Sequence, residues 1–461
     1  MSVIAGYMVP HPPLIIPEVG RGNELQVEET IKAYEKVADE IADIKPETLI
    51  VLSPHSIMYT DYFHISPGKQ ASGNFASFGA PGVSFDEEYD EEFANEICRM
   101  ADSEDFPAGT MGERDSRLDH GTMVPLWYIR NKYKAGKIIR IGLSGLPLID
   151  HYRLGMIIKE AAENLNRKTV LIASGDLSHK LQEYGPYGFA PEGPVYDERI
   201  MDVMGRAAFD ELFDFESSFC NNAAECGHRS FVIMAGAFDG MAVRSERLSH
   251  QDVTGVGYGI CTFYPEGIDD KRHFLDNELS QIENEIMAKR DNADEYVTLA
   301  REAVEAYVGG RRKLDVPDNL PDEMINRRAG AFVSIHKFGE LRGCIGTIGP
   351  TKNSLAEEII SNAISAATSD PRFSEIEADE LPWLEISVDV LGKAEDIESK
   401  DELDVKRYGV IVSSGYRRGL LLPDLDGIDT ADQQVDIAMR KAGIREGEDI
   451  KLQRFEVIRH Y

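Results

Sequence analysis

The sequence predicts an α/β fold for the first part of the chain, with an open, mostly parallel or mixed sheet flanked by helices. Apolar, partly β-branched runs of strand length alternate there with stretches whose apolar residues recur at helical spacing. Three of these apolar runs pass directly into a polar turn that carries a histidine. The last part of the chain has a different pattern, which predicts a second domain.

The overall composition narrows the class of protein. A length of 461 residues predicts two to three domains, and a formal net charge of -32 argues against nucleic acid as the main partner. The five cysteines form no CxxC pair, which indicates a reduced cytosolic compartment. No apolar run reaches the ~18 to 20 residues of a membrane span, and no charged segment precedes the first apolar run. We expect a soluble cytoplasmic protein that binds neither membrane nor nucleic acid.

The first predicted unit is a strand, a helix and a strand. The strand over residues 2–9 ends before His11, because the prolines on both sides of this histidine cannot extend it. A helix over residues 27–44 follows, and the strand over residues 48–52 runs into His55. Since α/β proteins bind ligands at the carboxyl ends of their strands, both histidines should project into a site there.

The next stretch predicts further alternation. Residues 67–83 are rich in glycine and predict a long loop, and long loops in compact domains are often functional. A helix over residues 88–100 leads to a polar segment that contains His120. The elements that follow are a strand, a helix and a strand, over residues 137–144, 152–165 and 169–174. The last of these strands delivers a third histidine, His179.

A fourth polar stretch surrounds Glu225. Asn221 or Asn222 can cap an apolar helix that includes residues 231–238, which would put Glu225 and Cys226 near its first turns. Their polar side chains would then face the ends of the sheet.

These polar residues suit a metal. Two histidines and one carboxylate on one side of a metal leave open positions opposite, as non-haem Fe(II) needs in order to bind both substrate and dioxygen. His11, His55 and Glu225 supply such a set. For any single histidine the simpler interpretation is a cap on a strand end. Three strand ends that each deliver an imidazole favour a shared site.

The first 265 residues resemble the LigB-type class III extradiol dioxygenase family and, more distantly, the MEMO proteins. The motifs that carry the resemblance are His11 with its trailing prolines, Ser53-Pro54-His55, Leu118-Asp119-His120-Gly121-Thr122, Ser174-Gly175-Asp176-Leu177-Ser178-His179 and Ala224-Glu225-Cys226-Gly227-His228. The resemblance implies that His11 and His55 are iron ligands and that a carboxylate is the third. It also implies that His179 is the acid/base histidine and that His120 is a substrate-side or oxygen-side group.

The third ligand is where the sequence departs from the LigB pattern. MEMO-like proteins resemble the chain at Cys226-Gly227 and use the cysteine there as the ligand. Glu225 and Cys226 are adjacent, so both are candidates, and Glu225 is our prediction.

The expected activity is cleavage of a catechol-type or aminophenol-type ring with dioxygen by an Fe(II) enzyme, with another divalent metal as a second option for the cofactor. Such chemistry requires an imidazole that titrates near neutrality, and His179 suits this role. Arg229 and Lys180 are candidates to hold a substrate carboxylate. Asp176 either orients His179 or is a turn residue after its strand. The alternative function is a MEMO-like metal-binding adaptor or redox protein without ring-cleaving turnover.

The second part of the chain resembles the AMMECR domain family over most of residues 290–461. Its matching motifs are Leu341-Arg342-Gly343-Cys344-Ile345-Gly346, Asp370-Pro371-Arg372-Phe373 and Gly419-Leu420-Leu421-Leu422-Pro423. The resemblance implies an α+β fold, leaves the activity open and suggests a radical-SAM partner in a shared pathway. The domains are expected at residues 1–265 and 291–461, joined by a charged and partly helical linker over residues 266–290. A homo-oligomer is a further expected assembly.

Cys344 and His336 lie on the two strands of a predicted hairpin around Phe338-Gly339. A regular register would put Val333 opposite Cys344, so that Cys344 and His336 would face opposite sides of the sheet. We therefore expect Cys344 to be a small buried thiol and not a nucleophile activated by this histidine.

Overall fold

The computed structural model describes residues 2–425 and 427–461, and the chain divides after Leu279 into two compact units. The strands of the first unit are β1 Val3–Val9, β2 Thr48–Ser53, β3 Phe63–His64, β4 Gln70–Phe75, β5 Ala80–Glu88, β6 Ala108–Gly109, β7 Lys137–Gly142, β8 Thr169–Ser174, β9 Met241–Gln251 and β10 Tyr258–Ile268. Its helices are α1 Pro17–Gly20, α2 Glu28–Ile44, α3 Glu91–Ser103, α4 His120–Lys132, α5 Leu148–Asn164, α6 Glu192–Arg206, α7 Ser217–Ala223 and α8 His228–Gly236.

The main sheet of the first unit has the strand order β7-β2-β8-β1-β10-β9. Neighbours among β7, β2, β8 and β1 are parallel, whereas β10 runs antiparallel to both β1 and β9. The predicted mixed sheet is confirmed. Because the four parallel strands end at one edge, the residues that follow them can meet there.

Helices cover both faces of this sheet, as predicted. On one face, Tyr34 of α2 and Val124 of α4 join Tyr7 and Val51 of the strands in one buried apolar cluster. On the other face α8 approaches closely, since a Cβ on Gly6 would lie 2.8 Å from the side chain of Met234. Among the residues that the structure describes, no helix has the length and apolar character needed to cross a lipid bilayer.

Two local expectations for the first unit are wrong. The glycine-rich stretch expected to be a long loop contains most of an antiparallel hairpin, in which β4 pairs with β5 from Gln70 opposite Glu88. Asn221 and Asn222 do not cap the helix of residues 228–236, because both lie inside α7. The chain leaves α7 at Ala224, which has the left-handed φ of 54°.

A long helix, α9 Phe274–Asp291, spans the division between the units. The remaining helices are α10 Glu295–Gly310, α11 Asp322–Asn326, α12 Leu355–Thr368 and α13 Ala431–Lys441. The strands of the second unit are β11 Ala331–Lys337, β12 Glu340–Gly346, β13 Leu384–Leu391, β14 Glu395–Ile397, β15 Tyr408–Ser414, β16 Arg417–Leu421 and β17 Lys451–His460.

The second unit has an antiparallel sheet in the order β12-β11-β13-β17-β15-β16, and β14 also pairs with β17. Helices α10 and α12 pack on the face that carries Val333 and Ile335. Helix α13 packs on β15 and β16 around Val410 and Val435. The α+β expectation for this part of the chain is confirmed.

The predicted register of the β11–β12 hairpin is wrong. A bulge between Ile335 and His336 shifts the pairing, so that Ser334 and not Val333 lies opposite Cys344. The Ser334 hydroxyl donates to the Cys344 sulfur at 3.2 Å. Because residues two apart on a strand face the same side, His336 and Cys344 share a face after all.

Candidate metal centre

Loops at the carboxyl edge of the main sheet bring two histidines and one cysteine together. His11 follows β1, His55 follows β2, and Cys226 lies between α7 and α8. One possible ligand atom from each of these three residues lies within 4.8 Å of the other two. The Nε2 atoms of His11 and His55 are 3.0 Å apart, and the Cys226 sulfur is 3.6 Å from His11 Nε2. The sequence predicted that the two histidines would converge because it placed each of them at the carboxyl end of a strand of one sheet, although β8 lies between β1 and β2.

A serine fixes the tautomer of His11. The Ser174 hydroxyl donates to the carbonyl oxygen of Gly121 at 2.6 Å, which uses its one hydrogen. The 3.0 Å contact between Ser174 Oγ and His11 Nδ1 must therefore be donated by the histidine. With the proton on Nδ1, the lone pair of His11 Nε2 points toward His55 and Cys226, as a metal ligand requires.

A carboxylate links the His55 loop to the helix that begins with His120. Asp119 Oδ1 accepts hydrogen bonds from Ser53 Oγ at 2.6 Å and from the Thr122 amide at 2.9 Å, so it caps α4. The ring centroid of His120 lies 4.0 Å from that of His55 and 5.4 Å from that of His11. His120 thus belongs to the cluster, although it is outside the group of three possible ligands.

Two loops meet closely behind Cys226. A Cβ on Gly175 would lie 2.0 Å from Gly227 Cα, so the two backbones can touch only because both residues are glycine. The Cys226 amide donates to the Asp176 carbonyl, and the Asp176 amide donates to the Cys226 sulfur, both at 3.3 Å. This contact fixes the cysteine beside His11.

The structure does not bring Glu225, the predicted third ligand, into this group. One of its carboxylate oxygens accepts a hydrogen bond from the His228 amide at 2.6 Å, at the first residue of α8. The free amides and the dipole at a helix N-terminus stabilise a carboxylate in that position. Glu225 therefore caps α8, and the alternative candidate, Cys226, lies next to the two histidines.

A hydrogen bond to the backbone fixes the ring of His179. Its Nδ1 lies 2.6 Å from the carbonyl oxygen of Ala224, which can only accept, so Nδ1 carries a proton. In the neutral ring, Nε2 is then free to accept another proton. If His179 were protonated, its charge would lower the pKa of both His11 and His55.

The environment of the cluster keeps its imidazoles neutral. Burial, together with the charges of His55 and His120, lowers the pKa of His11 well below its usual value. Burial and His120 lower the pKa of His55 to about 4. Burial is also the main cause that lowers the pKa of His120 and of His179. Neutral imidazoles can bind a metal or accept a proton at pH 7.

A model of the catalytic LigB subunit of aromatic ring-opening dioxygenase matches residues 5–261, which is more than half of the chain. The chain belongs to this family. An AMMECR1 family model matches residues 297–460, so the chain joins a LigB domain to an AMMECR1 domain.

Some relatives align with the whole chain, and others align with only part of it. A protein of Clostridium acetobutylicum is 41% identical and aligns over 100% of this chain and 99% of its own length. A protein of Thermotoga maritima is 50% identical over 36% of this chain and 96% of its own length. Among solved structures, an uncharacterized protein from Pyrococcus horikoshii has 31% identity and a TM-score of 0.34, covering 37% of this chain and 91% of that one.

The LigB family is generally metal-dependent, and the donors present in this chain suit a metal. Burial raises the pKa of the Cys226 thiol well above its usual value, so a metal would have to displace the thiol proton. Two neutral imidazoles and the resulting thiolate would form a set of borderline and soft ligands, which zinc, copper and iron accept. The hydrogen bond from His11 Nδ1 to Ser174 is the support that metal-binding histidines almost always have.

A cavity of about 300 Å³ in the LigB domain opens beside His55. Its wall includes Asp115, Arg117 and Arg140. The side chain of Arg140 is only 2% exposed, and it donates to the carbonyl oxygens of Arg117 and Asp115 at 2.6 and 2.7 Å. Arg140 was not predicted as a site residue, although a charged residue among the apolar residues of a strand often indicates a functional role.

Arg229 and Lys180, the residues predicted to bind a substrate carboxylate, interact with groups other than the possible metal ligands. The charge of Arg229 acts on Glu225, His228 and His151, which lie outside the group of His11, His55 and Cys226. Lys180 is half-buried, and its amide donates to Ser178 Oγ. Their roles in substrate binding stay predictions.

Asp176 contacts His11 rather than His179. Its Oδ1 accepts from the His11 amide at 2.7 Å, and its Oδ2 lies 3.9 Å from His11 Nε2. Burial raises the pKa of this carboxyl to about 7, against the opposing effect of the His11 amide. Asp176 therefore holds the loop of His11, a role that the sequence did not reveal.

Proposed function

We infer that the LigB domain is a metal-dependent oxidoreductase that opens the ring of a small catechol or aminophenol with dioxygen. The metal is held by His11, His55 and Cys226, and iron(II) is the first cofactor to test. The observation that supports this most is the convergence of three donor atoms within 4.8 Å beside a cavity of about 300 Å³. This volume is at the lower end of the range of ~300 to 1,000 Å³ for small-molecule sites, which suits a single ring.

The thiolate preserves the charge of the ligand set. Two neutral imidazoles with one carboxylate carry a single negative charge, and so do two imidazoles with one thiolate. When bound, an iron ion in this set supplies the positions at which a catecholate and dioxygen meet. The replacement of oxygen by sulfur makes the set softer, which widens the range of metals that it accepts.

Three histidines of the chain have further roles in substrate binding and proton transfer. His55 forms part of the cavity wall, so a substrate in the cavity lies next to a metal-binding imidazole. The neutral ring of His179, anchored through Nδ1 on the Ala224 carbonyl, accepts the hydroxyl proton of the substrate at Nε2 and later returns it. The ring of His120 lies against that of His55, with 4.0 Å between the centroids, and limits the movement of that ring.

The test combines metal analysis of anaerobically purified protein with oxygen uptake on a panel of catechols and aminophenols. We expect oxygen uptake by the iron-loaded protein and yellow ring-opened products from at least one substrate. His179→Ala should retain iron and lose turnover by about 100-fold or more, the usual contribution of a general acid or base. His273→Gln, which replaces a half-exposed histidine elsewhere in the first unit, is the matched control.

A metal-binding redox protein or adaptor without ring cleavage is the second candidate. The observation that favours it is the position of Cys226, since MEMO-like proteins have a cysteine at this ligand position. Under this function, the metal-loaded protein would consume none of the ring compounds, and His179→Ala would change neither metal content nor partner binding. Loss of iron from His179→Ala would contradict both functions.

A further inference from the structure

The second unit contains a cavity of about 530 Å³ that neither the metal centre nor the LigB domain uses. It lies between the end of α9, the start of α10 and the strands β11 and β13. Apolar side chains, among them Ile286, Val297 and Ile386, form most of its wall. Such a volume accommodates a small organic molecule.

The wall also carries three permanent cations. They are Lys289 and Arg290 of α9 and Arg301 of α10. One wall residue, Glu385, is a carboxylate, and it pairs with Lys289. Glu305 adds a distant second acidic group, 4.0 Å from Arg301. Three cations in one cavity wall stand out in a protein whose net charge is -32.

The two arginines are held by neutral groups. Arg290 donates to the carbonyl oxygens of Leu381 and Pro382 at 2.8 and 3.3 Å. Arg301 donates to the carbonyl oxygen of Leu384 at 2.9 Å. These bonds fix the side chains but do not neutralise them.

Both guanidinium groups are short of acceptors. The Nε atoms of Arg290 and Arg301 are buried and have no hydrogen-bond partner among the described residues. A buried donor without an acceptor destabilises a protein by about 1 to 3 kcal/mol, more for charged groups. Burial lowers the pKa of Arg301 to about 10, and the charge of Arg290 contributes to this effect. A bound anion would relieve both deficits.

We propose that this cavity of the second unit binds a small organic carboxylate with an apolar body. The apolar wall receives the body, and Arg290, Arg301 and the imidazole of His336 face its acidic group. A carboxylate offers two oxygen atoms, one to each guanidinium group. A phosphate monoester carries about 1.5 to 2 negative charges at pH 7, and the Glu385 carboxylate in the wall disfavours the higher charge.

The test uses the full chain and four probes in calorimetric titration. The probes are 1-naphthoate, its neutral amide, 1-naphthyl phosphate and acetate. We expect 1-naphthoate to bind, the amide and acetate to bind at least 10-fold more weakly, and the phosphate to bind no better than the carboxylate. Arg290→Gln and Arg301→Gln should each weaken 1-naphthoate binding at least 10-fold.

Arg311→Gln is the matched control, because Arg311 is an exposed arginine of the same unit that pairs with Glu375 outside the cavity. Its affinity for 1-naphthoate should equal that of the unmodified chain. Ser387→Trp, which fills the cavity without removing a charge, should abolish binding, and the unfolding midpoint of each variant reports whether it is folded.

Several results would overturn the proposal. The absence of 1-naphthoate binding would do so, as would equal binding of the amide. Tighter binding of the phosphate would overturn the assignment to carboxylates. Unchanged affinity in Arg290→Gln, Arg301→Gln and Ser387→Trp would place the ligand elsewhere on the chain.

Discussion

The adjacent residues Glu225 and Cys226 have separate roles because of the backbone that precedes them. Ala224 has a left-handed φ of 54°, a conformation that alanine rarely adopts and that ends α7. The turn directs the Glu225 carboxylate to the amide of His228 and the Cys226 sulfur to His11. The sequence could place both residues near the site but could not choose between them, since no glycine marks the turn.

Ser174 is the residue whose loss should affect the centre without removing a ligand. In Ser174→Ala the Nδ1 proton of His11 has no acceptor, so the ring can adopt the other tautomer. We expect metal affinity to fall about 10- to 100-fold, the usual effect of removing the partner of a metal-binding histidine. Competition with a chromophoric chelator measures this affinity.

The control for this substitution is Ser103→Ala. The Ser103 hydroxyl donates to a carbonyl at the end of α3, and no residue of the centre contacts it. Its metal affinity should equal that of the unmodified protein. Equal affinities in all three proteins would mean that Ser174 does not fix the tautomer of His11.

At the scale of elements, strong periodicity was a better guide than composition. The helix predicted over residues 27–44 is found as Glu28–Ile44, because its apolar residues recur along one face. The hairpin β4–β5 was missed, because its glycines resemble loop residues. The register of β11 and β12 was missed for another reason: the bulge at Ile335 and His336 depends on packing that no local pattern reveals.

Lys337 and Arg342 of the β11–β12 hairpin form a charge cluster with Glu380, and this cluster should make stability depend on pH. Burial alone would raise the pKa of Glu380, but Arg342, the Glu377 amide and Lys337 outweigh it and lower the pKa to about 2. Arg342 donates to both oxygens of this carboxylate, at 2.9 and 3.0 Å. Glu380 is only 12% exposed, so solvent screens these bonds little.

The direction of the pH effect follows from the lowered pKa. Ionised Glu380 stabilises the folded state above its unfolded pKa of about 4.3, and this contribution is lost as the pH falls toward 2. We expect Glu380→Gln to reduce the free energy of unfolding by on the order of 2 to 3 kcal/mol at pH 7 and by about half as much at pH 3.

Denaturant titrations can follow this unit through one fluorophore. The chain has two tryptophans, Trp127 in the first unit and Trp383 in the second. In a Trp127→Phe background, the fluorescence of Trp383 reports the unfolding of the second unit. Glu375→Gln, which removes an exposed ion pair with Arg311, should change stability by less than about 1 kcal/mol. An equal loss at pH 7 and pH 3 in Glu380→Gln would contradict the role of the ionised carboxylate.

At the scale of the whole molecule, the sequence identified two domains because each motif set was specific to one family. What it could not show is that α9, predicted as part of a linker, contributes to the second unit. Ile286 of α9 is 2% exposed, and Arg290 donates to the carbonyl oxygen of Leu381. Such contacts depend on how the chain folds back after Asp291, which residue spacing does not determine.

This packing predicts where the chain can be cut. A fragment of residues 274–461 should fold, whereas a fragment of residues 292–461 loses the buried Ile286 and should be less stable by about 2 to 5 kcal/mol. Urea unfolding followed by Trp383 fluorescence, the only tryptophan in either fragment, measures the difference. Equal stability of the two fragments would mean that α9 is only a connector.

The central claim, a metal held by His11, His55 and Cys226, can be tested most directly by replacing the metal with cobalt(II). A cysteine thiolate bound to cobalt gives a charge-transfer band in the near ultraviolet, which a carboxylate ligand does not give. We expect this band in the unmodified protein and in Glu225→Gln, and its disappearance in Cys226→Ser and in His11→Ala. A cobalt-loaded protein without the band, or a band that persists in Cys226→Ser, would contradict the assignment of Cys226 as the third ligand.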